Sequence, residues 1–131
     1  MRACLLDTSV VIDLDLQEVL DALPDDVAIS TITLAELAAG TSLADNPVER
    51  ARRQFRLQQV ESRFDPIDFD VEAARAFGHL VAVVTASGRS YRRRVADLMI
   101  AAVALRAGMD LATRNPDDLA GLEAILTIHS V

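Results

Sequence analysis

Lysine is absent from this 131-residue chain, and cysteine occurs once. Without lysine, no ammonium group is available to pair with a buried acid. The lone Cys4 excludes an internal disulfide and fits a reducing compartment, where it reads as an apolar filler of the first strand. Glycine and proline are sparse, at five and four residues, and half the chain is hydrophobic. That balance excludes a disordered protein. No apolar run approaches the ~20 residues that span a bilayer. The opening MRACLLDTS passes from Arg2 into an apolar stretch too short for a signal peptide, and Asp7 interrupts it. One domain over 1–131, in the cytoplasm and without a membrane segment, is the expectation.

Positive charge is scarce too. The net charge is −7, which counts against non-specific attraction to phosphate. All thirteen cationic residues are arginine, and eight fall in two clusters. Arg50, Arg52, Arg53 and Arg56 form one, and Arg89, Arg92, Arg93 and Arg94 the other. Local basic patches on an acidic chain meet phosphate only where geometry gathers them. The first cluster reads as a solvated helix flank.

What the chain does have is acids in apolar company. Asp7 ends an apolar run in LLDTS. Glu36 sits among Leu34, Ala35, Leu37 and Ala38. Asp97 heads LMIAAVAL, a helix apolar on every face, which must be buried. Asn115, Asp117 and Asp118 follow Thr113 in TRNPDDL. Burying an ionised carboxylate is costly unless it is paired or binds a metal. Several such groups converging would suit a hard divalent cation. Each has a plainer reading beside it. Asp7 can cap a helix. Glu36, three residues after Thr33, can close a capping box or serve as a buried ligand. Asp97 can pair within residues 92–97, and NPDD is ordinary turn chemistry. His79 and His129 lack any zinc spacing and read as structural or solvent-facing. Asp13, Asp15, Glu18 and Asp21 read as the wet face of the first helix.

Coarse periodicity yields alternating strands and helices. Residues 3–6 are a buried strand. A helix capped by Thr8 or Ser9 runs to about Leu23, and residues 27–30 are a second strand. Thr31 or Thr33 caps a helix ending near Gly40. Asn46-Pro47 opens a long helix to about Phe64, whose apolar stripe is Val48, Ala51, Phe55, Leu57 and Val60. Residues 66–69 are a third strand, and Asp70 caps the helix that follows. Gly88 to Arg94 is an arginine-rich loop before the helix of 95–107, which stops at Gly108. Residues 111–113 and 124–128 are further strands, with a helical turn near 116–119 between them. This order predicts an α/β domain with a short parallel sheet covered by helices on both faces. Ligands in such sheets bind beyond the carboxyl ends of the strands, the rim where the acids are expected to gather.

MRACLLDTSVVIDL, ITLAELAAG, RRRVADLMIAAVAL and LATRNPDDLAGL resemble, in order and spacing, the motifs of PIN-domain proteins. The whole chain looks like a VapC-type toxin ribonuclease of a bacterial toxin–antitoxin pair. That resemblance implies a Mg²⁺- or Mn²⁺-dependent endoribonuclease with Asp7, Glu36 and Asp97 at the family's acid positions. The fourth position falls on Asn115, so Asp117 or Asp118 would supply its charge, with Thr113 in support. Leu119 stands where many relatives carry Phe. Arg89, Arg92, Arg93 and Arg94 are the candidates for gripping RNA. A VapB-type antitoxin and a homodimer are also implied, the antitoxin tail lying in a groove lined by residues 33–39 and 48–64. The alternative is a catalytically inactive PIN-like binding module. A haloacid-dehalogenase-type phosphotransferase wants a second Asp where Ser9 stands, and a lysine.

Overall fold

Alternation along two short strands decides where every helix must pack. In β1 (Cys4–Leu6), Cys4 and Leu6 point to one side and Leu5 to the other. In β3 (Asp110–Thr113), Ala112 joins the first set and Leu111 the second. Both faces are apolar, so both must be covered. β2 (Val27–Ala28) and β4 (Ile128–Ser130) flank this pair, giving a parallel sheet of order β2-β1-β3-β4. The computed structural model describes residues 2–131; Met1, the first residue of the expected domain, lies outside them.

Helices α1 (Thr8–Ile12), α2 (Gln17–Ala22), α3 (Thr31–Ser42) and α4 (Pro47–Arg63) cover the Cys4/Leu6 face. They supply Val10, Val19, Leu37 and Val60 to one core. Helices α5 (Val71–Ala86) and α6 (Val95–Ala107) cover the other face with Leu80, Val84, Leu98 and residues 100–104. The expected α/β class and the covered parallel sheet are both observed. No helix among the described residues is long and apolar enough to cross a membrane.

Capping follows the sequence in most places. Asn46 caps α4 with Pro47 behind it, and Asp70 caps α5 through the Ala73 N–H at 2.8 Å. Gly108 closes α6 at φ +68°, where a side chain would be strained. Of the candidates for the α1 cap, Asp7 takes the position rather than Thr8 or Ser9. One cap differs from expectation: Ser30, rather than Thr31 or Thr33, caps α3 by accepting from the Thr33 N–H. α3 also runs through Gly40 to Ser42.

Four further expectations are corrected. The single first helix is two, because residues 13–16 form a turn that buries Leu14 and leaves Leu16 exposed. Residues 66–69 form no strand. Ile67 makes one bridge to Ser30, and the Phe69 N–H goes to the Thr31 hydroxyl instead of a backbone carbonyl. The run 124–128 is mostly turn, and β4 begins only at Ile128. There the N–H groups of Ile125 and Leu126 bond back to the Leu122 carbonyl, so Leu122 and Leu126 share a helical rather than a strand spacing. The α4 stripe is also divided. Phe55 and Val60, five residues apart, lie roughly 140° apart around a helix, so Val60 is buried while Val48, Ala51 and Phe55 are exposed.

Candidate active site

β1 and β3 end side by side, and the chemistry-bearing residues leave from those ends. The Asp7 N–H donates to the Ala112 carbonyl at 3.0 Å, so Asp7 stands one step beyond the last paired residue of β1. Asp7 is buried, at 7% exposure. Oδ1 accepts from the Val10 N–H at 3.2 Å and from the Ser9 hydroxyl at 2.5 Å. Capping and site placement therefore coexist in one residue.

Glu36 leaves α3 on its exposed side and is not buried. It closes no capping box either. Its Oε1 instead accepts from the Thr8 hydroxyl at 2.6 Å, and Thr8 Oγ1 lies 3.1 Å from the hydroxyl of fully buried Thr33. The two hydroxyls after Asp7 thus serve different acids, Thr8 reaching Glu36 and Ser9 reaching Asp7. From sequence both look like helix caps alone.

Asp97 occupies the first turn of α6, half-buried. Its pKa is pushed up to about 6, first by burial and then by the negative charges of Asp118, Asp7 and Glu36, against a partial offset from Arg94. Acids from three other segments thus sit within electrostatic reach of Asp97. Asp118 comes from the 3₁₀ turn Pro116–Leu119, which Leu119 anchors in the core and which packs against α6. Asn115, Asp117 and Asp118 are all exposed, and of the two acids only Asp118 is among the charges acting on Asp97. Thr113 is buried and accepts from the Asn115 N–H at 3.0 Å, shaping the turn that presents Asp118.

The arginine cluster divides. Arg89, Arg92 and Arg93 are exposed, with Arg92–Arg94 forming a 3₁₀ turn ahead of α6. Arg94 is half-buried, donates to the Ala120 carbonyl at 3.5 Å and acts electrostatically on Asp97. Sequence reasoning missed Arg114. Its guanidinium meets Asp13 at 3.2 Å and Glu18 at 3.8 Å, and donates to the Val131 carbonyl at 3.2 Å. Asp13 is therefore a partner of Arg114 rather than part of a wet face. The signal available was a cation at a buried strand end, the converse of the logic applied to the acids. Neither histidine is placed with Asp97: His79 is exposed, and His129 Nε2 lies 2.9 Å from Asp110 Oδ2.

Among the described residues, no three acid, His or Cys side chains close into a ready-made metal cage. Mg²⁺ retains several waters and needs only one or two direct carboxylates, so an open set of oxygen donors fits it. The donor set also lacks the sulfur and nitrogen ligands that a zinc site would use. The residues present fit a hard divalent ion.

A groove of about 330 Å³ opens beside Glu36, between α1, α3 and α4. Thr8, Ile12, Leu37, Gly40, Arg53 and Arg56 line it. Arg53 is held by Glu49 at 3.0 Å and by the Gly40 carbonyl at 2.8 Å.

Comparison with known proteins gives consistent matches over nearly the whole chain. The family model of the PIN domain matches residues 4–123. The chain is 36% identical to Ribonuclease VapC5 of Mycobacterium tuberculosis over 131 residues, covering 98% of this chain and 94% of that one. It is 33% identical to Ribonuclease VapC4 of the same organism, covering 89% of each. Its fold matches the crystal structure of VapBC-5, a member of the VapBC family of toxin–antitoxin systems from M. tuberculosis. The TM-score there is 0.85, at 37% identity and 98% coverage of both chains.

Proposed function

Because this chain belongs to the PIN-domain family, we propose that it is the toxin of a VapBC-type pair, a divalent-metal-dependent endoribonuclease that hydrolyses RNA phosphodiester bonds. One observation carries the reading. Asp7, Glu36 and Asp118, from three distant stretches of sequence, all act electrostatically on Asp97 near the carboxyl end of a parallel sheet in a chain without lysine.

Asp7 and Asp97 would hold Mg²⁺ or Mn²⁺, with Asp118 adding the charge that Asn115 lacks. Such an ion, when bound, stabilises negative charge on the phosphate and makes an attacking water more acidic. The rest falls to the protein. Asp7 keeps one oxygen on Ser9 and Val10, which fixes its carboxylate plane. Glu36, exposed and oriented by Thr8, orients water and can take its proton. Arg94 limits the repulsion between the acids and the RNA backbone, while exposed Arg89, Arg92 and Arg93 grip phosphates farther along. The acidic remainder discourages promiscuous binding, so shape and sequence of the RNA choose the target.

The partner reading follows from the same family. A VapB-type antitoxin would lay its tail in the groove of Ile12, Leu37, Arg53 and Arg56, reaching Glu36 and blocking the acids. The toxin itself would be a homodimer, working in the cytoplasm where its RNA is found. The domain spans 1–131 in this reading, since β4 and Val131 beyond the matched residues complete the sheet.

Cleavage of total RNA by the purified chain tests the proposal, comparing wild type with Asp97→Asn in Mg²⁺, Mn²⁺ or EDTA. Cleavage that needs metal and falls roughly a hundredfold or more in the variant is expected, since even outer-shell partners of a metal cost 10–100-fold. A folded wild type that binds metal yet cleaves nothing would support the inactive binding module instead.

A further inference from the structure

We infer that Arg114 is a positioning residue for Asp7, acting through its own backbone N–H and the Ser9 hydroxyl. The inference rests on the proposed role of Asp7 as a cation ligand. The peptide joining Thr113 to Arg114 is gripped on both sides. Its carbonyl accepts from the Val131 N–H at 3.0 Å, and its N–H donates to Ser9 Oγ at 3.0 Å. Ser9 passes the interaction on, donating to Asp7 Oδ1 at 2.5 Å. The Val10 N–H meets the same oxygen, so Oδ2 is the one left for a cation. A metal ligand's outer hydrogen bonds set its orientation and basicity.

The side chain of Arg114 explains why this peptide stays in place. Its guanidinium meets Asp13, the residue that closes α1, and Glu18 in α2, and donates to the Val131 carbonyl. α1 is only five residues long, and its near end carries Asp7 as cap and Ser9 in the first turn. One arginine therefore fixes the far end of α1 by its side chain and the near end by its main chain. Tilting so short a helix against β3 would move Ser9 off either the Arg114 N–H or Asp7. Half-exposed ion pairs contribute little to stability, so the consequence of this clamp is expected in ligand geometry more than in unfolding.

The test titrates Mn²⁺ alone into the full chain, free of antitoxin, by calorimetry, with thermal unfolding recorded on every variant. Arg114→Met should weaken Mn²⁺ binding by about tenfold, the lower end for outer-shell partners. Ser9→Ala should do the same, and the double variant should bind no worse than either single one, because both act on one path. Asp13→Asn loosens the guanidinium without truncating it and carries the test if Arg114→Met does not fold. Wild-type Mn²⁺ affinity in a folded Arg114→Met or Asp13→Asn chain overturns the inference, as do losses that add in the double variant. Asp7→Asn separates the layers of the argument. If wild type and Asp7→Asn bind Mn²⁺ alike, the metal role of Asp7 fails, and this inference fails with it.

Discussion

On one side of the sheet, α6 buries Leu98, Ile100 and residues 101–104, and α5 adds Leu80 and Val84 to the same core. On the other, Leu43, Val48 and Phe55 stay 75%, 78% and 62% exposed along the α3–α4 hairpin. The first side keeps most of its apolar residues inside, with Val71 and Val95 exposed only at the helix starts, and the second keeps several outside. Acids sit on both. Asp97 rides a helix that cannot shift without disturbing the core, whereas Glu36 stands on an exposed flank beside an open groove. Rigid support suits a group that must hold an ion, and open surface suits one that must meet substrate and partner. Large exposed apolar residues are ordinary singly but informative in a group.

The largest test of this contrast is truncation on each side. Leu98→Ala should destabilise the chain by about 2–5 kcal/mol through a lost core side chain and the cavity it leaves. Phe55→Ala should change stability by no more than about 0.5 kcal/mol, even though the ring is larger. Chemical denaturation of both variants checks this, and equal losses would mean that the two sides are packed alike.

A second test uses pH. The Asp97 carboxyl holds its proton more tightly folded than unfolded, with a pKa raised from 3.8 to about 6. Its contribution to stability is therefore full below about pH 4 and lost as pH rises through about 6. In EDTA, wild-type Tm should fall relative to Asp97→Asn across that window, because the amide cannot ionise. Adding Mg²⁺ should recover part of the difference at pH 7. Parallel Tm curves for the two proteins would show that the acids do not oppose one another.

The smallest effect separates neighbours in one turn. Asp118→Asn should weaken Mn²⁺ affinity several-fold, while Asp117→Asn should leave it nearly unchanged, because Asp118 and not Asp117 is among the charges acting on Asp97. Titration of both variants decides the point, and the reverse ranking would move the fourth acid to Asp117.

Much of the site was legible beforehand because acids in apolar company are rare and expensive. Asp7, Glu36 and Asp97 stand out by local pattern, and the structure puts Asp7 and Glu36 within electrostatic reach of Asp97. The choice among Asn115, Asp117 and Asp118 was not legible. It depends on how a 3₁₀ turn rotates once Leu119 is buried, and nothing in NPDD encodes that rotation. Thr8 and Ser9 had the composition of caps, and only the packing of α1 between β3 and α3 sends one hydroxyl to Glu36 and the other to Asp7. The same limit hid Arg114, whose partners lie 101, 96 and 17 residues away along the chain.

Periodicity and composition by themselves determined the α/β class, the buried α6, the caps at Asn46 and Asp70 and the stop at Gly108. These are local consequences of residue type, settled within a helical turn or a strand. Tertiary structure alone decided the break at residues 13–16, the outward turn of Phe55, the loss of a strand at 66–69 and the exposure of Glu36. Each of those depends on which face of an element finds a partner, and an apolar residue looks the same in sequence whether the sheet or the solvent lies beside it.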